Sequence, residues 1–169
     1  MSNTSDGVGR AETRSMRLAA ALNAIVVSVW VGSQAAIGYI AAPVLFAQLT
    51  DRMLAGNLAG AMFSVMTWVG LGCGAYLLLY LVVTQGTAVR RSAAFWLVVM
   101  MLALTLIGHF GIGPLLAQLK AAALPLPVME TPLRDRFAFW HGVSSLLYLL
   151  QTLLGMALLN ITTYVMPHY

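Results

Sequence analysis

Residues Leu18 to Leu49 form a long apolar stretch without a single charged side chain. A helix rises about 1.5 Å per residue, so roughly 20 residues cross the hydrocarbon core of a bilayer. The stretch exceeds this length and must tilt, kink or protrude, with Pro43 as the expected kink. Only 8% of the chain is charged, whereas about a quarter of a soluble domain is. An integral membrane protein is therefore predicted.

Three further stretches are apolar and long enough to span a bilayer. The four predicted spans are residues 18–49, 52–84, 93–119 and 137–165. They predict an all-α membrane four-helix bundle that forms one domain, residues 18–169. Residues 1–17 are polar, lack apolar periodicity and are expected to form a flexible tail. Residues 120–136 contain three prolines, which cannot continue a helix, so they are expected to form the longest loop.

A doubled stretch suggests that the bundle consists of two related helical hairpins. Residues 38–49 read GYIAAPVLFAQL, and residues 108–119 read GHFGIGPLLAQL. After each copy a new run begins with an Asp-Arg pair, at residues 51–52 and 135–136. Two hairpins of two spans each share one orientation, as in the parallel repeats of some transporters. Shared membrane composition is the alternative explanation of the likeness.

The basic residues predict the orientation and the surroundings of the chain. Four spans place both termini on one side, which carries five arginines against four basic residues on the other. The first set is Arg10, Arg14, Arg17, Arg90 and Arg91, and the second is Arg52, Lys120, Arg134 and Arg136. The positive-inside rule then favours cytoplasmic termini, here in a bacterial inner membrane. Because these residues lie between apolar runs, lipid headgroups are expected to contact them, and nucleic acid is not.

Each span carries small and polar residues along one face, which predicts the buried faces of the bundle. The stripes comprise Asn23, Trp30, Gln34 and Gly38; Asn57, Gly60, Ser64, Thr67 and Gly74; Thr105 and His109; and His141, Ser144, Tyr148, Gln151 and Gly155. Their plainest interpretation is packing between helices. The GxxxG pairs Gly56/Gly60 and Gly70/Gly74 also offer faces for a homodimer.

Several polar residues are predicted to share one layer near the side opposite the termini. Counting helical rise places His109 and His141 there, together with Tyr39, Pro43, Asn57 and Pro114, while Ser144 and Tyr148 follow on the stripe of His141. The two prolines free the carbonyls of Tyr39 and Phe110, which then need donors. Two neutral imidazoles could bind copper or haem iron, or serve only as interfacial anchors. The primary expectation is that the protein binds no cofactor.

Four segments resemble a known family. They are Trp30 with Gly32, AAPVLF at 41–46, AGNLAGAMF at 55–63 and FAFWHGVSSLL at 137–147. Together they are similar to the bacterial domain of unknown function 4149, a relative of the eukaryotic transmembrane protein 205 family. The resemblance extends from Trp30 to about Leu159 and implies a four-span membrane protein without an established activity. The family tends to carry Asn where this chain has Tyr148. A weaker, topological similarity links the chain to CopD-type copper-resistance proteins.

The sequence leaves two functional hypotheses. It contains no nucleotide-binding loop, HExxH or cysteine pair, and Ser144 and Ser145 have no carboxylate partner in any span. The first hypothesis is a non-enzymatic transport, resistance or membrane partner protein. The alternative is a haem- or metal-binding redox protein that uses His109 and His141.

Overall fold

The computed structural model describes the backbone of residues 3–164 and the side chains of residues 14 and 17–162. Helices account for nearly all of this part of the chain, which contains no strand. Four helical rods are long and apolar enough to cross a membrane: Arg17–Gln48, Arg52–Arg91, Ala93–Ala123 and Arg134–Thr162. The predicted all-α fold with four spans is confirmed.

The first rod contains an irregular turn near its far end. It consists of α1 (Asn3–Ala36), a π-helical segment (Ile37–Ala41) and α2 (Ala42–Gln48). We call Ile37–Ala41 the first π segment. Residues 3–17 begin α1, so most of the segment expected to be a flexible tail has a helical backbone. Its flexibility stays a prediction.

The second rod starts after a short turn. The Asp51 carboxylate accepts hydrogen bonds from the backbone N–H groups of Met53 (2.8 Å) and Leu54 (3.1 Å), which caps α3 (Arg52–Gln85). Gly86 ends the helix with a φ of 55°, a conformation that favours glycine. A 3₁₀ turn (Gly86–Arg91) then leads into the third rod.

The third rod repeats the pattern of the first. It consists of α4 (Ala93–Leu106), a second π segment (Ile107–Ile112) and α5 (Gly113–Ala123). The fourth rod is α6 (Arg134–Tyr164). Because α5 continues to Ala123, the loop between them is shorter than the predicted 120–136. It holds the prolines and a 3₁₀ turn, Val128–Glu130.

The four rods close into a ring in which α1 and α4 each pack against both α3 and α6. Its centre is apolar, with Val27, Trp30, Val98, Met101 and Leu158 almost fully buried. Large apolar side chains also cover much of the outside, where a membrane protein contacts lipid.

Buried glycines allow the rods to approach one another closely. A methyl group on Gly70 would come within 2.8 Å of Trp30 Nε1, and one on Gly74 within 2.5 Å of Leu102 Cδ2. These two glycines therefore pack inside the bundle and are not free to form the predicted dimer face. Gly56 lies against Lys120, while the position of Gly60 opens to the outside. A dimer through Gly56/Gly60 stays a prediction.

Candidate functional site

The two π segments occupy equivalent places in the two halves of the chain. The first precedes Pro43 and the second precedes Pro114, and each proline lies in the first turn of the helix that follows. The Ala42 N–H donates to Ile37 O, and the Gly113 N–H donates to Gly108 O, in both cases five residues back. Proline lacks the N–H that would bond the carbonyl four residues earlier, and its ring crowds that carbonyl. A wider turn relieves the clash and the missing hydrogen bond together. Single π turns are frequent at functional sites.

Tyr148 of α6 contacts the first π segment directly. Its hydroxyl donates a hydrogen bond of 2.6 Å to the carbonyl of Gln34, which in a regular α-helix would accept the N–H of Gly38. A side chain that enters the hydrogen-bond ladder in this way distorts a helix. The Tyr148 ring lies over Gly38, where a methyl group would overlap Cε1 and come within 3.0 Å of Cζ. Glycine is thus required for this contact.

A cluster of neutral polar side chains surrounds this contact. The Tyr39 hydroxyl and the Gln34 Nε2 both donate to Thr152 Oγ1, at 3.4 and 3.3 Å. The Tyr148 ring meets Tyr39 and Phe63 edge-on, with centroids 6.2 and 5.2 Å apart. We call Gln34, Tyr39, Tyr148 and Thr152 the tyrosine cluster. It brings together two of the predicted site residues, Tyr39 and Tyr148.

A second polar link joins α6 to α4. Gln151 Nε2 donates to Thr105 Oγ1 at 2.8 Å, and that hydroxyl donates to Met101 O at 2.9 Å. All buried polar residues of the described chain are uncharged: Asn23, Gln34, Thr105, Gln151 and Thr152. Asn23 Oδ1 is the one fully buried side-chain polar atom without a partner in this part of the chain. The polar groups within this largely apolar interior are therefore electrically neutral.

The two histidines have separate surroundings. His109, in the second π segment, is half-buried and places Nδ1 3.3 Å from Thr67 Oγ1. His141 is exposed, and its ring stacks on Phe137 with centroids 5.8 Å apart. No recorded contact joins the two imidazoles, and no three His, Cys, Asp or Glu side chains among the described residues could hold a metal ion. A cofactor shared by both histidines stays a prediction that these contacts do not support.

The remaining predicted site residues lie outside the tyrosine cluster. Asn57, Pro43 and Pro114 are exposed, and Ser144 is half-buried. Sequence reasoning did not single out Thr152, which joins Tyr39 to Gln34, because an isolated threonine in a membrane helix gives no signal. It also placed Lys120 in the loop, whereas Lys120 lies in α5 and donates to Gly56 O at 3.2 Å.

Comparison with known families identifies the chain. Residues 25–125 match the family described as domain of unknown function DUF4149. The chain belongs to this family. No curated protein and no solved structure matches it. The predicted family resemblance is confirmed from Ile25, in the last third of α1, to the end of α5.

The match includes one side of the tyrosine cluster and not the other. Both π segments, Tyr39 and His109 lie within the part shared with DUF4149 proteins. Tyr148, Thr152 and His141 lie on α6, beyond the matched residues, as does the resembling segment 137–147. The DUF4149 description names no activity, so the site has to be interpreted from its geometry.

Proposed function

We propose that this DUF4149 protein is a non-enzymatic membrane protein that moves a small, uncharged molecule across the bilayer, in transport or in resistance. One observation carries the proposal: the helix interruptions ahead of Pro43 and Pro114 occupy corresponding positions of the two halves. In transporters built from repeats, helices interrupted at corresponding positions form the substrate site, and here the first interruption lies towards one end of its rod.

The neutral interior supports an uncharged substrate. A charge within a membrane interior requires a partner or water, and the buried polar groups here are hydroxyls and amides. The tyrosine cluster offers hydroxyls that donate and accept hydrogen bonds. A solute with hydroxyl or amide groups could exchange hydrogen bonds with them one for one.

The first π segment supplies a movable element for this proposal. When the Tyr148 hydroxyl leaves Gln34 O, the Gly38 N–H can take that acceptor and the turn can tighten towards an α-helix. Two discrete arrangements of one turn are what a gate between two faces of a membrane requires. In this proposal a solute that competes for the Tyr148 hydroxyl favours the tightened arrangement.

Alanine variants of the two prolines test the proposal. Cells that express the protein are compared with cells carrying an empty vector, for growth on a panel of toxic uncharged compounds. The flux of each compound that distinguishes them is then measured in proteoliposomes. Pro43→Ala and Pro114→Ala restore a backbone N–H and should stabilise the helix while they reduce flux. Pro132→Ala, in the exposed loop, is the control.

Two outcomes would contradict transport. One is a panel in which no compound distinguishes the two strains. The other is unchanged flux in both proline variants at equal amounts of inserted protein.

The redox alternative has a test of its own. An absorption spectrum and a metal analysis of gently purified protein are expected to show neither a haem band nor bound copper. A band or metal that is lost in His109→Ala and in His141→Ala would favour the alternative. A partner role is tested by the oligomeric state of a Gly60→Leu variant, because this position opens to the outside.

We also propose a bacterial inner membrane with both termini in the cytoplasm. The side of the termini carries five arginines against four basic residues on the other side, and the positive-inside rule assigns the richer side to the cytoplasm. A carboxyl-terminal alkaline phosphatase fusion should be inactive, and a fusion in the loop after α5 should be active. The reverse pattern would invert the orientation.

A further inference from the structure

The hydrogen bonds of Thr67 determine which nitrogen of His109 carries the proton. Thr67 Oγ1 lies 3.1 Å from Phe63 O and 3.3 Å from His109 Nδ1. Thr67 Oγ1 is placed to donate to Phe63 O, and a hydroxyl has only one proton to give. With its proton donated to Phe63 O, the hydroxyl faces Nδ1 with a lone pair. This arrangement pairs with the His109 tautomer that carries its proton on Nδ1.

The other nitrogen, Nε2, is left as an open acceptor. In a neutral imidazole only one nitrogen carries a proton, so Nε2 keeps its lone pair. No donor among the described residues reaches it. Nε2 is also not fully buried, since Asn23 Oδ1 is the one fully buried side-chain polar atom without a partner among the described residues. A strong acceptor thus opens onto the surface of a membrane span.

Aromatic side chains frame this acceptor. The rings of Trp68 and Phe110 meet the imidazole edge-on, with centroids 6.3 and 4.8 Å from it. Trp68 is 62% exposed and Phe110 56% exposed, and methyl groups on Gly108 and Gly111 would meet nothing within 4 Å. We call His109, Thr67, Trp68 and Phe110 the His109 recess. Its exposed rings lie on the outside of a rod that is long and apolar enough to cross a membrane, where a ligand dissolved in the bilayer can reach them.

We propose that the His109 recess binds a lipid-soluble phenol, whose hydroxyl donates to Nε2 and whose ring packs against Trp68 and Phe110. The Nε2 lone pair requires a hydrogen-bond donor. An aromatic ligand can pack edge-to-face or offset against the rings of Trp68 and Phe110. A charged donor is excluded because it does not partition into lipid. This inference stands apart from the transport proposal, since binding can be measured in a protein that transports nothing.

The first test is the protonation state of the ring in the full chain, reconstituted in lipid nanodiscs. Protonated and unprotonated imidazole nitrogens have well-separated NMR shifts. We expect His109 with Nδ1 protonated and Nε2 bare. A ring protonated on Nε2 would overturn the inference without any ligand or variant.

The second test uses a pair of matched probes. Para-nonylphenol should shift the Nε2 resonance and change tryptophan emission saturably, whereas para-nonylanisole, which lacks the donor, should do neither. Equal responses to both probes would show partition into lipid without a site. No shift of Nε2 with the phenol would show that the phenol does not donate to this acceptor. Either result would overturn the proposal.

Three variants complete the experiment. His109→Phe keeps a ring and removes the acceptor, and should abolish the saturable response. Thr67→Val removes the hydroxyl that favours the Nδ1-protonated tautomer. It should weaken phenol binding roughly fivefold, which corresponds to the loss of one hydrogen bond. His141→Phe is the control and should leave affinity unchanged, because His141 contacts Phe137 and not the recess. A fall in affinity in the control as large as in Thr67→Val would contradict the assignment.

Discussion

Replacing Gly38 by alanine tests whether the close contact with Tyr148 stabilises the bundle. The new methyl group would overlap Tyr148 Cε1 and lie 3.0 Å from Cζ and 3.1 Å from Cδ1. A tyrosine ring moves only as a whole, and Tyr39 and Phe63 already border it. The ring must therefore shift, and its hydroxyl loses the 2.6 Å bond to Gln34 O.

The size of the effect follows from three contributions. Overpacking of a fitted contact costs about 1–3 kcal/mol. A lost hydrogen bond between membrane helices costs on average about 0.6 kcal/mol. Alanine in place of glycine within a helix returns up to about 1 kcal/mol. With the full return from alanine, we expect Gly38→Ala to lower the free energy of unfolding by about 0.6–2.6 kcal/mol.

The assay is equilibrium unfolding of detergent-solubilised protein by SDS, followed by circular dichroism. Gly32→Ala is the matched control, because Gly32 lies on the same rod, in α1, and a methyl group there meets nothing within 4 Å. It should be neutral or slightly stabilising. In a Tyr148→Ala background, the loss caused by Gly38→Ala should disappear, since the methyl group then enters vacated space. An equal loss in both backgrounds would refute the reasoning.

Two further predictions concern the packing of α3 and the link between α6 and α4. Gly74→Ala should destabilise the protein by about 1–2 kcal/mol, because its methyl group would come within 2.5 Å of Leu102, whereas Gly72→Ala, which meets nothing, should be neutral in the same titration. Gln151→Leu and Thr105→Val should each cost about 0.6 kcal/mol or more, and their costs should not add, because each removes the same 2.8 Å hydrogen bond. Additive losses in this double-mutant cycle would show that the bond contributes nothing.

The fold was predictable because it depends on long uncharged runs. A stretch such as Leu18 to Leu49 leaves a helix through lipid as the main solution, whatever its neighbours do. Pro125 also predicted a break after the third rod. The helix ends at Ala123, four residues later than the predicted end of the span at residue 119. The end of a helix depends on the local register of hydrogen bonds, which composition does not give.

Helical rise predicts the height of a residue along its rod and not the direction of its side chain, and the shared height of the two histidines stays a prediction. Helical rise places His109 and His141 in one layer, but the contacts of each ring depend on its position around the rod. His109 contacts Thr67 on α3, whereas His141 stacks on Phe137 of its own helix.

The prolines indicated where the first and third rods are interrupted. The wider turn at Ile37–Ala41 also involves Tyr148, a residue more than 100 positions from Gln34, whose carbonyl it contacts. Local sequence contains no information about such a distant contact. The same holds for Gly70 and Gly74, whose spacing suits a dimer and whose actual neighbours are Trp30 and Leu102.

The capped turn before α3 has a consequence for how the protein is made. Only residues 49–51 separate α2 from α3, and the Asp51 carboxylate holds the start of α3. Helices joined so closely meet at small cost in loop entropy, and the amino-terminal part of a chain leaves the ribosome first. The first hairpin can thus enter the membrane as a formed unit before α6 is synthesised. Tyr148 follows on α6, so its contact with Gly38 can form only after the first hairpin has been made.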